Sequence, residues 1–261
     1  MTNLSENSNC KIAVDAMGSD FRSRNDVVGA LQAFNEKKDF ELLLVGEKSK
    51  ILEVIKKEDL SFPEENIVHA PEQIKMSDSP TAAIRTKKNS SIVVGSQLVK
   101  DKKADAFVSA GNTGAVLAAS TLIIGRIPSV GRPTIGASFP NETGKFTLLF
   151  DAGASVDSKA QHLFEYAILG TIFSQEIYGI EKPKVGLLSV GEEEEKGNEL
   201  TFAAHKLLNE SKLNYVGNVE GRDVLNGNID VIVCDGFVGN IVLKFGESVI
   251  GFLKAEIEKL C

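Results

Sequence analysis

Apolar residues in this chain fall into two recurring patterns. Predominantly apolar runs at residues 11–16, 40–46, 66–70, 105–110, 146–152, 184–190, 214–217 and 230–234 are continuous rather than alternating, which is the pattern of strands buried on both faces of a parallel sheet. Between them, apolar positions recur at helical spacing over residues 25–36, 47–58, 80–102, 113–126, 156–178 and 199–211. Strand and helix therefore alternate as in crossover units. The expected fold class is α/β, a three-layer αβα arrangement around one doubly wound, mostly parallel sheet. Residues 1–10 are expected to be a disordered polar tail and 11–261 a single α/β domain.

Two segments depart from this rhythm. Residues 127–145 contain Pro128, Pro133 and Pro140 together with Gly131, Gly136 and Gly144, which suits either a hairpin arm or an excursion facing a substrate. Over 239–261 the spacing of Ile241, Phe245, Val249, Phe252, Leu253 and Ile257 predicts an amphipathic helix with Lys244, Glu247, Lys254, Glu256 and Lys259 on its polar side. Core or subunit packing is its expected role, ahead of membrane contact. No run reaches the roughly 18 uncharged apolar residues of a bilayer span, so no spanning helix is expected. Residues 1–9 lack a secretory or transit pattern, which points to the cytoplasm.

Five of the apolar runs end abruptly in small-residue loops: Val14-Asp15-Ala16-Met17-Gly18-Ser19-Asp20, Val108-Ser109-Ala110-Gly111-Asn112-Thr113-Gly114, Phe150-Asp151-Ala152-Gly153-Ala154, Val190-Gly191 through Gly197-Asn198-Glu199, and Cys234-Asp235-Gly236-Phe237-Val238-Gly239-Asn240. Loops of this kind at strand ends expose backbone amides and helix starts, and an anion is welcome there. Asn112 or Thr113 is placed to cap a helix whose first amides, with those of Gly111 and Gly114, point outward; a plain strand-to-helix turn has the same composition. Asp15, Asp151, Gly153, His162, Asp235 and Asn240 are candidates for the rim. Lys196 follows four glutamates, Glu192 to Glu195, and two roles are open to it: charge compensation, or holding a phosphate and a developing oxyanion. Arg85, Lys87 and Lys88 form the densest basic cluster, suited to an acidic protein partner or to solubility alone.

Composition narrows the chemistry. With 43% hydrophobic residues the chain carries ample core, and its net charge of −7 disfavours broad nucleic-acid affinity. The three cysteines, Cys10, Cys234 and Cys261, are far apart and give neither a disulfide framework nor a zinc pattern, so no metal is expected. No G-x-S-x-G elbow is present, and Cys234 reads as a buried strand residue, so covalent nucleophilic catalysis is disfavoured. Neither phosphate-loop nor dinucleotide fingerprint occurs, and no cofactor is expected.

The motifs Val14-Asp15-Ala16-Met17-Gly18, Lys87-Lys88-Asn89-Ser90-Ser91, 109–115, Gly125-Arg126-Ile127, Lys196-Gly197-Asn198-Glu199-Leu200, Gly217-Asn218-Val219-Glu220 and Asp235-Gly236-Phe237-Val238-Gly239-Asn240 together closely resemble the bacterial phosphate acyltransferase family of phospholipid synthesis, PlsX. The resemblance runs from Lys11 to about Phe252. It implies a fold similar to isocitrate and isopropylmalate dehydrogenases and to phosphotransacetylase. It also implies transfer of a fatty acyl group from an acyl carrier protein thioester to inorganic phosphate by a peripherally membrane-associated homodimer that feeds a membrane glycerol-3-phosphate acyltransferase. Members usually carry a second Gly where Ser19 stands, a basic residue within the glutamate run, and some tens of residues beyond Cys261, so a shortened C-terminal helical part is expected.

On that resemblance, phosphate is expected on the Gly111, Thr113 and Gly114 amides and the Asn198 helix start, with Lys196 and Asn112 stabilising the oxyanion and no acyl-enzyme. Docking of the acidic carrier protein falls to Arg85, Lys87, Lys88 and Arg126, with help from Arg132. Two alternatives remain. A metal- and NAD-dependent dehydrogenase of the same fold needs a carboxylate metal site, for which Asp151, Asp157 and Asp235 are scattered in sequence; a non-catalytic carrier-protein scaffold needs only the docking surface.

Overall fold

A computed structural model describes residues 10–19 and 23–260. Of the expected tail only Cys10 is described, and it opens the first strand; residues 1–9, Asp20 of the first loop and Cys261 lie outside the described residues. The chain forms two compact units, residues 1–127 and 128–261.

In the first unit, β1 (Cys10–Asp15), β2 (Phe40–Gly46), β3 (Ile67–His69) and β4 (Ala106–Val108) pair in parallel in the order β3-β2-β1-β4. Alternation along β2 shows how the layers form, since successive strand side chains point to opposite faces. Leu42 and Leu44 pack with Val27 and Leu31 of α1 (Ser23–Lys37) and with Ile51 and Ile55 of α2 (Lys48–Lys57). On the opposite face Leu43 and Val45 join Ala13, Ala70 and Ala104, with Val94 and Leu98 of α4 (Ser91–Lys100) against them. Between α2 and α4 lies α3 (Pro80–Thr86), and α5 (Thr113–Ala119) follows β4 and runs on into a π turn over Ser120–Ile124.

In the second unit, β5 (Gly136–Pro140), β6 (Phe146–Phe150), β7 (Val185–Leu188), β8 (Tyr215–Val219) and β9 (Val231–Val233) are ordered β5-β6-β9-β7-β8, with only β5 antiparallel. One face carries α6 (Ala160–Tyr178) and α7 (Glu199–Asn209), through Leu163, Tyr166, Ala204 and Leu208. The other carries α8 (Asp223–Asn226) and the start of α9 (Gly236–Glu258), through Val224, Val242 and Leu243.

The fold class is α/β with mostly parallel sheet, as read from the pattern, but the strands divide between two sheets rather than forming one. Continuous apolar runs report burial on both faces and are silent about which neighbour a strand takes. The proline- and glycine-rich segment 127–145 is where the chain passes from one unit to the next, and of its two readings the hairpin forms, β5 pairing with β6. The helix expected over 80–102 breaks in two, because Ser90 accepts from Val93 N (3.4 Å) and caps α4 separately.

α9 corrects one expectation. It is 23 residues long and begins three residues early, at Gly236. By length and composition it is long and apolar enough to cross a membrane, and its apolar window is only 11% buried. Lys244, Glu247, Lys254, Glu256 and Glu258 stand within the helix, so it is not the uncharged run whose absence the sequence predicted. Core packing is confined to its first turns; Phe245, Ile250, Phe252, Leu253 and Ile257 are exposed.

Candidate functional site

In an open parallel sheet the crevice for ligands lies beyond the strand carboxyl ends where strand order reverses. Each unit has one such point. In the first it lies between β1 and β4, because the chain proceeds from β1 outward through β2 and β3 and then returns to the other side of β1. In the second it lies between β7 and β9.

At the first switch point Asp15, fully buried, accepts from Met17 N (2.9 Å) and from Ser109 Oγ (2.7 Å), and Ser109 Oγ in turn accepts from Gly111 N (3.0 Å). Asp15 therefore ties two loops together rather than lining an open rim. Asn112 caps α5, its Oδ1 taking the Ala115 amide (3.0 Å), while Nδ2 donates to the carbonyls of Lys75 (3.3 Å), Met76 (3.1 Å) and Asp78 (3.4 Å). With 8% of its surface exposed, this amide is committed within its own unit, so Asn112 holds the 75–78 turn against the helix start instead of presenting a donor to an oxyanion. Gly114 lies against Pro80, whose Cγ would stand 2.7 Å from an added Cβ. Among the described residues the Thr113 and Gly114 amides have no acceptor, as the first turn of a helix leaves them.

The basic cluster is less uniform than its sequence suggests. Lys87 turns inward, donating to Asp78 Oδ2 (2.5 Å) and to the Gln73 carbonyl (2.9 Å), and its ammonium holds the Asp78 carboxyl below the ordinary carboxylate range. Arg85, Lys88 and Arg126 are exposed. Arg132 belongs to the second unit, where it donates to Asp157 Oδ1 (2.6 Å) and to Ser155 Oγ.

At the second switch point an open cleft of about 220 Å³ is lined by Leu163, Leu188 and Cys234 below and by Ser189, Asn198, Thr201 and Asp235 at its polar edge. Two helices start here, and their first turns differ. The head of α9 is filled: Asp235 Oδ1 accepts from Phe237 N (3.0 Å) and Val238 N (3.1 Å), and Gly236 N donates to the Ser155 carbonyl (2.9 Å). At α7, Asn198 Oδ1 takes the Thr201 amide (3.0 Å) and Thr201 Oγ1 takes the Asn198 amide (2.7 Å). That capping box leaves the Glu199 and Leu200 amides without an acceptor among the described residues, so α7 offers the open helix head of the two.

Lys196 stands two residues before this cap. Gly197 (φ +136°) turns the chain between them, and an added Cβ there would meet Thr201 Oγ1 at 2.1 Å, so only glycine fits. Lys196 is exposed, and among the described residues no carboxylate lies within ion-pair distance of its ammonium. Glu192 instead pairs with Arg222 (2.8 Å), and Glu194 lies 4.0 Å from His205. Of the two roles open to Lys196, charge compensation is thus not realised as a direct ion pair among the described residues, although the Glu193 carboxylate and the Lys196 stem both lie against Gly191.

The remaining rim candidates have structural work. Asp151 is fully buried and its carboxylate accepts from the amides of Ile135 (3.2 Å), Gly153 (3.1 Å), Ala154 (2.8 Å) and Ser155 (2.9 Å); burial raises its pKa against the pull of those amides. Gly153 faces Asn240, which is exposed on α9. His162 Nδ1 accepts the Lys159 amide (3.0 Å) at the start of α6 and does not form part of the cleft lining. Burial pushes the Cys234 thiol well above its ordinary range, which suits a floor residue and not a nucleophile. Ser189 and Thr201 escaped sequence reasoning, since isolated hydroxyls carry no spacing signal, and Ser109 was read only as part of its loop. Among the described residues no cluster of three His, Cys, Asp or Glu side chains could hold a metal ion.

Comparison with known proteins adds to this geometry. A profile described as "Fatty acid synthesis protein" matches residues 10–259. A phosphate acyltransferase from Pelotomaculum thermopropionicum is 50% identical over 253 residues, 95% of this chain and 73% of the relative. One from Halothermothrix orenii is 48% identical over 247 residues, 93% and 73%. Among solved structures, a phosphotransacetylase from Streptococcus pyogenes superposes with a TM-score of 0.68 at 19% identity, covering 92% of this chain and 82% of that one, a likeness of fold. With half of its residues shared across nearly its whole length, the chain is an acyltransferase belonging to the phosphate acyltransferase family of fatty acid synthesis proteins.

Proposed function

We propose that the chain transfers a fatty acyl group from an acyl carrier protein thioester to inorganic phosphate, giving acyl phosphate for phospholipid synthesis. The observation that carries this reading is the open head of α7 at the polar edge of an apolar-floored cleft, where the Glu199 and Leu200 amides have no acceptor among the described residues and Lys196 stands two residues before the cap. Phosphate is seated by the Glu199 and Leu200 amides and by Lys196. A phosphate oxygen attacks the thioester carbonyl carbon, a C–O bond forms, the C–S bond breaks, and the thiolate leaves and is protonated. Lys196 stabilises the carbonyl oxyanion as it develops. The Thr113 and Gly114 amides are a second anion-facing turn, which Asn112 holds in place.

No acyl-enzyme is needed, because phosphate brings its own nucleophilic oxygen and a thiolate leaves readily; positioning supplies much of the acceleration. The dehydrogenase alternative loses its metal site, as Asp151 is bound to backbone amides, Asp157 to Arg132 and Asp235 to the head of α9. Incubating the carrier-protein thioester with labelled phosphate tests the proposal: a labile labelled acyl phosphate is expected. Carrier binding without phosphate-dependent loss of thioester would establish the scaffold alternative instead.

The enzyme works in the cytoplasm, as a homodimer at the membrane surface, handing acyl phosphate to a membrane glycerol-3-phosphate acyltransferase; the bare apolar face of α9 supports an extra contact of this kind. The acidic carrier protein docks on Arg85, Lys88 and Arg126. Reversing Arg85 and Lys88 to Glu, which leaves the Lys87–Asp78 pair intact, is expected to weaken carrier binding at least tenfold at low salt and far less at high salt. Titration calorimetry checks this, and unchanged low-salt affinity would remove the patch from docking.

A further inference from the structure

The loop that carries Lys196 is held by two side chains, Asn218 and Ser189, of which Asn218 alone reaches both of its ends. Asn218 on β8, 7% exposed, donates through Nδ2 to the carbonyl of Glu193 (2.9 Å) and to that of Lys196 (3.3 Å). The Lys196 carbonyl also accepts from Ser189 Oγ (3.0 Å) just beyond β7, so its peptide is gripped from the ends of two neighbouring strands. The acceptor half of the amide, Oδ1, has no hydrogen-bond partner among the described residues. A buried acceptor left unmet is costly, so packing alone does not explain an asparagine here; the position uses its donors. Other ties to the loop are weaker, since the Arg222–Glu192 pair is exposed on both sides and Glu194 approaches His205 only to 4.0 Å.

We propose that Asn218 is a positioning residue for acyl transfer, fixing the Glu193–Lys196 turn so that the Lys196 ammonium stands at the head of α7. The inference rests on the role given to Lys196 above. Displacing a reacting or stabilising group by about 1 Å costs up to a hundredfold in rate, and the two carbonyls held by Asn218 bracket the residues that set the course of this loop.

Asn218→Asp keeps the shape and replaces the donor with an oxygen facing two carbonyl oxygens. It is expected to lower kcat about tenfold or more while leaving KM for the carrier-protein thioester unchanged, and to speed cleavage after Lys196 by a lysine-specific protease. The decisive comparison is a double-mutant cycle with Lys196→Met: if Asn218 acts through Lys196, adding Asn218→Asp to that background costs less than about twofold. An equal loss in both backgrounds overturns the proposal and leaves the role of Lys196 standing. Full activity of Lys196→Met alone overturns both. Should the aspartate variant not fold, Asn218→Ala, which removes the donor without adding charge, carries the same comparison.

Discussion

Lys196→Met is expected to lower the rate of acyl phosphate formation about a hundredfold, the usual cost of removing one charge-stabilising donor from an acyl-transfer site, and to leave folding untouched. The stem of the side chain is kept and only the ammonium is lost. Because Lys196 is exposed and has no carboxylate partner among the described residues, no internal ion pair is broken, and surface substitutions of this kind change stability little. Steady-state kinetics with varied phosphate locate the loss. A fall in kcat with little change in KM for phosphate means that Lys196 acts on the transition state, whereas a rise in KM alone means that it only binds phosphate. Near-wild-type turnover removes Lys196 from the mechanism and leaves the amides of α7 to do the work alone.

The second large effect is on stability. A Cβ added at Gly239 would lie 1.8 Å from the carbonyl oxygen of Asp151 and 3.0 Å from Cys234 Sγ. The first of these is backbone, in the segment pinned by the buried Asp151 carboxylate, so neither side yields cheaply. Gly239→Ala is therefore expected to cost at least about 3 kcal/mol, the upper end of ordinary overpacking. For a chain of this size that lowers the melting temperature by roughly 6–12 °C. Gly251→Ala in the same helix is the control, since an added Cβ there meets nothing within 4 Å and alanine is the better helix former. It is expected to be neutral or slightly stabilising in the same calorimetric scan; equal losses at both positions would show that the close approach of Gly239 to Asp151 is not what matters.

Much of the fold was legible because strand runs such as 40–46 are apolar but for Glu41 and end in a glycine loop, and that pattern survives any arrangement of the sheet. What stayed hidden was pairing. β9 inserts between β6 and β7, and no local feature of residues 230–234 specifies those neighbours. The site was legible as loops and hidden as roles: Asn112 was read as an oxyanion donor at a strand end and Lys87 as part of an exposed basic cluster, yet both turn inward, because carbonyls of the 75–78 turn and the Asp78 carboxylate stand within reach. Asp151 was placed on the rim by its motif, but its neighbouring amides draw it inside. The four glutamates before Lys196 suggested pairing by proximity in sequence, whereas Glu192 pairs with Arg222 and Glu194 lies by His205.

The different fates of the two helix heads in the second unit bear on selectivity. Backbone amides recognise charge and a tetrahedral set of oxygens and have no means of telling phosphorus from arsenic, so an α7 head that seats phosphate also admits arsenate. The mixed anhydride formed with arsenate would fall apart in water, and the enzyme would then release free fatty acid and thiol with no stable product to pass on.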